Sequence, residues 1–148
     1  MHFGVAAALA LTVPSSLAAQ DLGTAIPIAG NWSYAATTDG SEASFANASG
    51  IPQLWLHCTR ATRRVTIAKL ASGPAPFLNV WTSSLTRSVA SSFNPATGRL
   101  TIDLSAYDPL LDGFAASRGR VGFSVAGQAA LVVPPWAEAV RVIEDCRV

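Results

Sequence analysis

The clearest alternation along the chain is RLTIDL, where Leu100, Ile102 and Leu104 fall on one side of an extended backbone and Thr101 and Asp103 on the other. The same rhythm runs through NWSYAAT, EASFA, QLWLHCT, RVTIAKL and FLNVWTS, and more weakly through RSVASSF. Turn signals separate these runs: TDG at Thr38 to Gly40, NASG, the loop ASGPAP, and NPATG. Short strands at this spacing predict a mainly β fold, an antiparallel β-sandwich or flattened barrel. No internal repeat is visible.

Two segments change the period. In YDPLLDGFAASRG, Asp108 is placed to cap a short internal helix over Pro109–Ala116, with Pro109 in its first position and Gly119 as the stop. RVGFSVAGQAALVVP reads as a hairpin turning at Gly127 and Gln128, with Val121, Phe123 and Val125 on one face. Pro134 and Pro135 then end the strand and open a C-terminal helix. At 100° per residue, Trp136, Ala139, Val140, Val142 and Ile143 gather on one arc and Glu138, Arg141, Glu144 and Asp145 on the opposite one.

That arc also takes in Cys146. In QLWLHCT, Leu54, Leu56 and Cys58 share the core-facing side, while Gln53, Trp55, His57 and Thr59 point away. Both cysteines therefore face the core, and a Cys58–Cys146 disulfide is expected to fasten the last helix to the sheet. Closing a loop of almost ninety residues stabilises by roughly 4 to 5 kcal/mol on the chain-entropy model. Two buried free thiols are the alternative.

The N-terminus bears on where such a bond would form. MHFGVAAALALTVPSSLAAQD carries an apolar run from Gly4 to Val13, a break at Pro14 to Ser16 and small residues at Ala18 and Ala19. This reads as a secretory signal peptide over residues 1–19, followed by a single β-rich domain over 20–148. Only His2 precedes the apolar run, with no Lys or Arg, which fits an atypical signal or a start further upstream; an ordinary apolar strand or helix is the alternative reading. The run falls short of the ~20 residues needed to span a bilayer, so no transmembrane segment is expected in the mature chain. Export to the periplasm or beyond is also where disulfides persist.

Composition narrows the partners. Of 148 residues, 50% are hydrophobic and 13% charged, with a net charge of +1, which argues for one folded domain and against a nucleic-acid surface. Nine of the ten basic residues are Arg; Lys69 is the exception.

Candidate chemistry is sparse. Once the leader is removed His57 is the one histidine, and its neighbour Cys58 points to the opposite strand face, so no thiol–imidazole pair forms. No G-x-S-x-G elbow occurs; of Asp108 and Asp112, four residues apart, Asp108 is better used as a cap, and Glu144 and Asp145 belong to a solvated helix face. No metal or cofactor site is expected. Arg60, Arg63 and Arg64 crowd one connection, and Arg118 and Arg120 in SRGR form a candidate anion site, with solvated loops as the commoner use of such residues. Trp55 and Trp81 each alternate away from core-facing neighbours. If their strands lie side by side, Trp55, His57, Asn79 and Trp81 make a candidate binding surface for a glycan or a protein. The alternative is that both sheet faces are covered and the tryptophans belong to the core.

The spacing of Leu54, Leu56 and Cys58 together with a terminal helix ending in Cys146 resembles the invasion-associated locus B family and the VasI-like accessory proteins of type VI secretion. The block from Asp108 through SRGR to WAEAVRVIEDCR is similar to small uncharacterised alphaproteobacterial exported proteins. The resemblance implies a periplasmic β-sandwich without known catalysis, and carries over the cysteine pair alone. The expected function is a non-enzymatic periplasmic or secreted envelope protein, a binding or accessory module for a protein or glycan. The rival class is an enzyme inhibitor or hydrolase acting on cell-envelope material. A concave pocket holding His57 with a carboxylate is what would separate the two.

Overall fold

The structure is a computed structural model that describes residues 22–148; the expected leader at 1–19 lies outside the described residues. In chain order the elements are β1 (Gly30–Ala36), β2 (Gly40–Asn47), β3 (Pro52–Thr59), β4 (Arg64–Leu70), β5 (Phe77–Trp81), β6 (Thr86–Ala90), β7 (Ser92–Asn94), β8 (Arg99–Ser105), α1 (Pro109–Ala115), β9 (Val121–Ser124), β10 (Leu131–Val133) and α2 (Ala137–Asp145). The strands form two antiparallel sheets, one of six in the order β1-β2-β3-β4-β8-β7 and one of four in the order β10-β9-β5-β6. Both sheets are open, so the architecture is a sandwich and the barrel alternative falls.

Alternation decides which side of each strand is dry. Leu54, Leu56 and Cys58 of β3, Val65 and Ile67 of β4, and Leu100, Ile102 and Leu104 of β8 join one buried cluster with Leu78, Val80 and Phe123 of the smaller sheet. The weak segment RSVASSF, read from sequence as one strand, divides into β6 and β7 in different sheets. Val89 and Phe93 keep their shared parity and both pack against the core, while Ser91 turns the corner through bonds to the Pro76 and Ala75 carbonyls. The side-chain rhythm continues through the corner; the hydrogen-bond partner changes.

Four strands do not cover six. The inner face of β1, β2 and β3 is closed by α2, which buries Ala139, Val142 and Ile143 against it. Cys146 follows that helix and is bonded to Cys58, with the two Cα atoms 5.5 Å apart across 88 residues of sequence. Tyr34 donates to the Asp145 carboxylate at 2.5 Å, and Arg147 donates to the Ala106 carbonyl at 2.7 Å and pairs with Asp112 at 2.8 Å. The Trp32 indole N–H reaches the Pro134 carbonyl at 2.6 Å, tying β1 to the lead-in of the helix. Gly40 allows a close approach: a Cβ there would sit 2.1 Å from the Cys58 carbonyl oxygen.

Two details of the helices differ from the sequence reading. Trp136 stands before the first turn of α2, 45% exposed, and does not join the buried arc. The short helix α1 is capped by the Asp108 carboxylate on the Leu110 N–H as expected, but it closes at Ala116, and Gly119 instead takes a left-handed conformation (φ 74°) in the loop beyond.

The Cys58–Cys146 bond generates a direct prediction. Cys58→Ser and Cys146→Ser should each lower stability by about 4 kcal/mol, and the double mutant by little more, because both remove one bond. Denaturant unfolding of the three variants checks this, and two titratable thiols in the unreduced, unfolded wild type would contradict it.

A second prediction concerns acid. Burial works against ionisation at Asp145 and Asp108, but Tyr34 and the Arg141 and Arg60 cations at the first, and Arg87 and the Leu110 N–H at the second, hold both carboxyls below the ordinary value of 3.8. A depressed folded-state value gives stability that is present in full above 3.8 and lost as pH falls through the lowered values. Thermal melts should therefore drop steeply below about pH 4, and Asp145→Asn should flatten that drop; an unchanged slope would remove Asp145 from the account.

Candidate functional site

The outer face of the six-stranded sheet carries the residues left over by alternation, and strand register arranges them in rows. Glu42, His57, Thr66 and Asp103 lie side by side across β2, β3, β4 and β8, and Ser44, Trp55, Ala68 and Thr101 form the next row. Ala68 is the small member of its row. Trp55 on one side and the long Arg99 side chain on the other overhang it, and a hollow of about 400 Å³ opens there, reaching Glu42, His57, Thr66, Asn94 and Thr97.

His57 sits at one end of this hollow. Its Nε2–H donates to Asp39 at 3.0 Å, since an ionised carboxylate only accepts. Its Nδ1 lies 3.2 Å from Glu42 Oε2, off the line of a hydrogen bond. The bond from His57, then that from Thr37, holds the Asp39 carboxyl below its ordinary value. At the other end the Arg99 guanidinium stacks on the Trp55 ring, 3.6 Å from its centroid.

The arginines of the connection between β3 and β4 are committed elsewhere. Arg64 makes two bonds to Asp103, Arg63 donates to the Tyr107 hydroxyl at 2.8 Å, and Arg60 reaches the Asp145 carbonyl at 3.5 Å.

Sequence reasoning joined four residues that the fold separates. Trp55 and His57 lie on β3 of the six-stranded sheet, Asn79 and Trp81 on β5 of the four-stranded one. The two sheets share an inner core, so the outer-facing residues of β3 and β5 look away from each other and make no single surface. Asn79 is instead tied to its cross-strand partner Ser88. The parity of each strand is as expected; what alternation does not carry is which strands are neighbours. Trp32 is the tryptophan that belongs to the core, at 6% exposure.

The Arg118–Arg120 pair is also divided. Arg120 directs Nη1 onto the Gly23 and Ala25 carbonyls, at 2.6 and 3.0 Å, and so holds the segment entering the domain. Leu22 of that segment packs over Gly122, where a Cβ would come within 2.6 Å of it. Arg118 is exposed, its backbone N–H bound to Ser83. The pair is a structural clamp and a surface side chain, and no two-arginine anion site forms.

Glu42 and Arg99 were missed. Arg99 shares strand parity with Thr101, already read as outward, but the convergence of Arg99 and Glu42 on Trp55 and His57 needs the register of four strands. Among the described residues, no group of three or more His, Cys, Asp and Glu side chains is placed to hold a metal ion, and no helix is long and apolar enough to cross a membrane. Comparison with family models, with curated proteins and with solved structures finds no match for this chain.

Because Arg120 clamps backbone carbonyls, Arg120→Ala should cost about 1–2 kcal/mol and release residues 22–28 to hydrogen exchange and proteolysis. Arg118→Ala should do neither. Equal protection of the segment in both variants would contradict the clamp.

Proposed function

We propose that the protein is an exported, non-enzymatic binding or accessory module of the cell envelope, and that the hollow on the outer face of its six-stranded sheet is its ligand site. One observation carries the reading: the hollow brings an aromatic ring, an imidazole, a carboxylate and a guanidinium together on a sheet face left open by the rest of the fold. Antiparallel sheets commonly leave one face to solvent, and solvent-facing positions ordinarily carry isolated polar side chains. A concavity in which an aromatic ring meets several convergent polar groups is a feature of recognition sites.

The rival reading, a hydrolase of envelope material, draws support from the same place, because the hollow does hold His57 with a carboxylate. Its geometry favours binding. A histidine acting as general base needs one nitrogen on an orienting acid and the other free to take a proton from a nucleophile or water. Here Nε2 is taken by Asp39, and Nδ1 is buried beside Glu42, closed to a nucleophile or water. Acid–base cleavage of a glycosidic bond ordinarily takes two carboxyl groups across the scissile bond, whereas Glu42 is the one acidic side chain lining the hollow among the described residues.

Export follows from the apolar leader and is supported by the buried Cys58–Cys146 bond, since such bonds persist in oxidising compartments. The likeness to the invasion-associated locus B and VasI-like families belongs to this same reading.

Two measurements test the proposal. Mass spectrometry of protein from the native host should find a mature N-terminus between residues 18 and 21, and an intact Met1 form in the cytoplasm would overturn export. Purified mature protein should be retained on envelope fractions, and Trp55→Ala should weaken that retention tenfold or more with its melting temperature kept. Full retention by Trp55→Ala would remove the hollow from the function.

A further inference from the structure

Arg99, like Arg141 over Tyr34, is held by an aromatic ring and not by a polar partner. Most other arginines with a described polar contact point at a carboxylate, a carbonyl or a hydroxyl: Arg64 at Asp103, Arg87 at Asp108, Arg147 at Asp112 and Ala106, Arg120 at two carbonyls. The Arg99 guanidinium has neither an ion pair nor a hydrogen bond among the described residues; its plane is held by stacking on Trp55. Stacking uses the face of the guanidinium and leaves its edge of N–H donors unused. A planar cation that is pre-oriented and unpaired, at the wall of a hollow, is arranged for a planar two-oxygen anion, which it can take through two parallel bonds.

The other groups restrict what carries that anion. Thr66, Thr97 and Thr101 bring hydroxyls and Asn94 an amide, while Glu42 accepts but cannot donate. Glu42 and the nearby Asp39 place negative charge at the end away from Arg99, so a polyanion charged at every unit is repelled there. Trp55 and Ala68 are the apolar residues of the lining, and the other seven are polar or charged. A ligand with one carboxylate and many hydroxyls matches this set of groups.

Resting on the binding-site reading above, we infer that the hollow recognises a carboxylate-bearing saccharide, with the sugar acid on Arg99 and ring hydroxyls donating to Glu42. The carboxylate completes the ion pair that Arg99 lacks within its own chain. Trp55 keeps the guanidinium plane in place, and the carboxylate-to-guanidinium charge pairing gives discrimination from neutral sugars of the same shape.

The test uses the mature, disulfide-bonded chain and matched pairs of soluble sugars that differ in one charged group: a disaccharide with a single uronic acid and its methyl ester, and a muramic acid-containing disaccharide and its carboxyl amide. In calorimetric or NMR titrations at low salt, the acid of at least one pair should bind tenfold or more tightly than its neutral partner, and the preference should shrink as salt rises. Arg99→Gln should bring the two affinities within a factor of two while leaving the melting temperature unchanged, since Arg99 supports no ion pair in the fold. Arg99→Lys should keep part of the preference, having the charge without the fork. No preference for the acid in either pair, or a preference that survives Arg99→Gln, overturns the assignment. If that happens while envelope retention still depends on Trp55, the ligand class is wrong and the site stands; if retention is indifferent to Trp55, both fall.

Discussion

A six-stranded sheet facing a four-stranded one leaves apolar surface on β1, β2 and β3 that water would otherwise reach, and covering it is the constraint on which the rest of this fold depends. The cover is α2, nine residues long, too short to persist as an isolated helix in water. Its stability has to come from contact. Ala139, Val142 and Ile143 supply apolar burial, and the bond from Cys146 to Cys58 prevents the last turn from fraying. Polar contacts surround the same place. Tyr107 donates to the Arg147 carbonyl at 2.9 Å, and Arg141 lies over the Tyr34 ring. The chain thus ends by docking on its own first three strands.

That closure reaches the candidate site through β3. Cys58 is fixed from the inner side by the helix, and because successive residues alternate, fixing Cys58 also orients His57 and, one further step along the outer face, Trp55. The hollow is therefore built on a strand whose other face is covalently held. The same arrangement serves a recognition site better than a loop would, since side chains projecting from a packed strand lose less freedom when a ligand binds.

Much of this was legible in the sequence. The alternation of RLTIDL and QLWLHCT assigned inner and outer faces correctly, Asp108 marked the start of α1, and the two inward cysteines pointed to each other. These are local signals, or depend only on a two- or 3.6-residue period. What was not legible depends on which strands meet. Trp55 and Trp81 carry the same signature, and nothing in either segment says that β3 and β5 belong to different sheets. The Arg118–Arg120 pair failed for a related reason: the Gly23 and Ala25 carbonyls that occupy Arg120 lie almost a hundred residues away in the chain. Glu42 and Arg99 became part of a site only once the register of β2, β3, β4 and β8 was known. Parity is written locally, whereas convergence is a property of the assembled sheet.

The central claim is that α2 and its bond complete the sandwich rather than decorate its end. Native-state hydrogen exchange on wild type and Cys146→Ser, read amide by amide, tests it most directly. The account predicts that α2, β1, β2 and β3 lose protection together and by the largest factor, while β5 and β9 of the smaller sheet lose less. Loss confined to the final turn of α2, with β1 to β3 as protected as before, would contradict it.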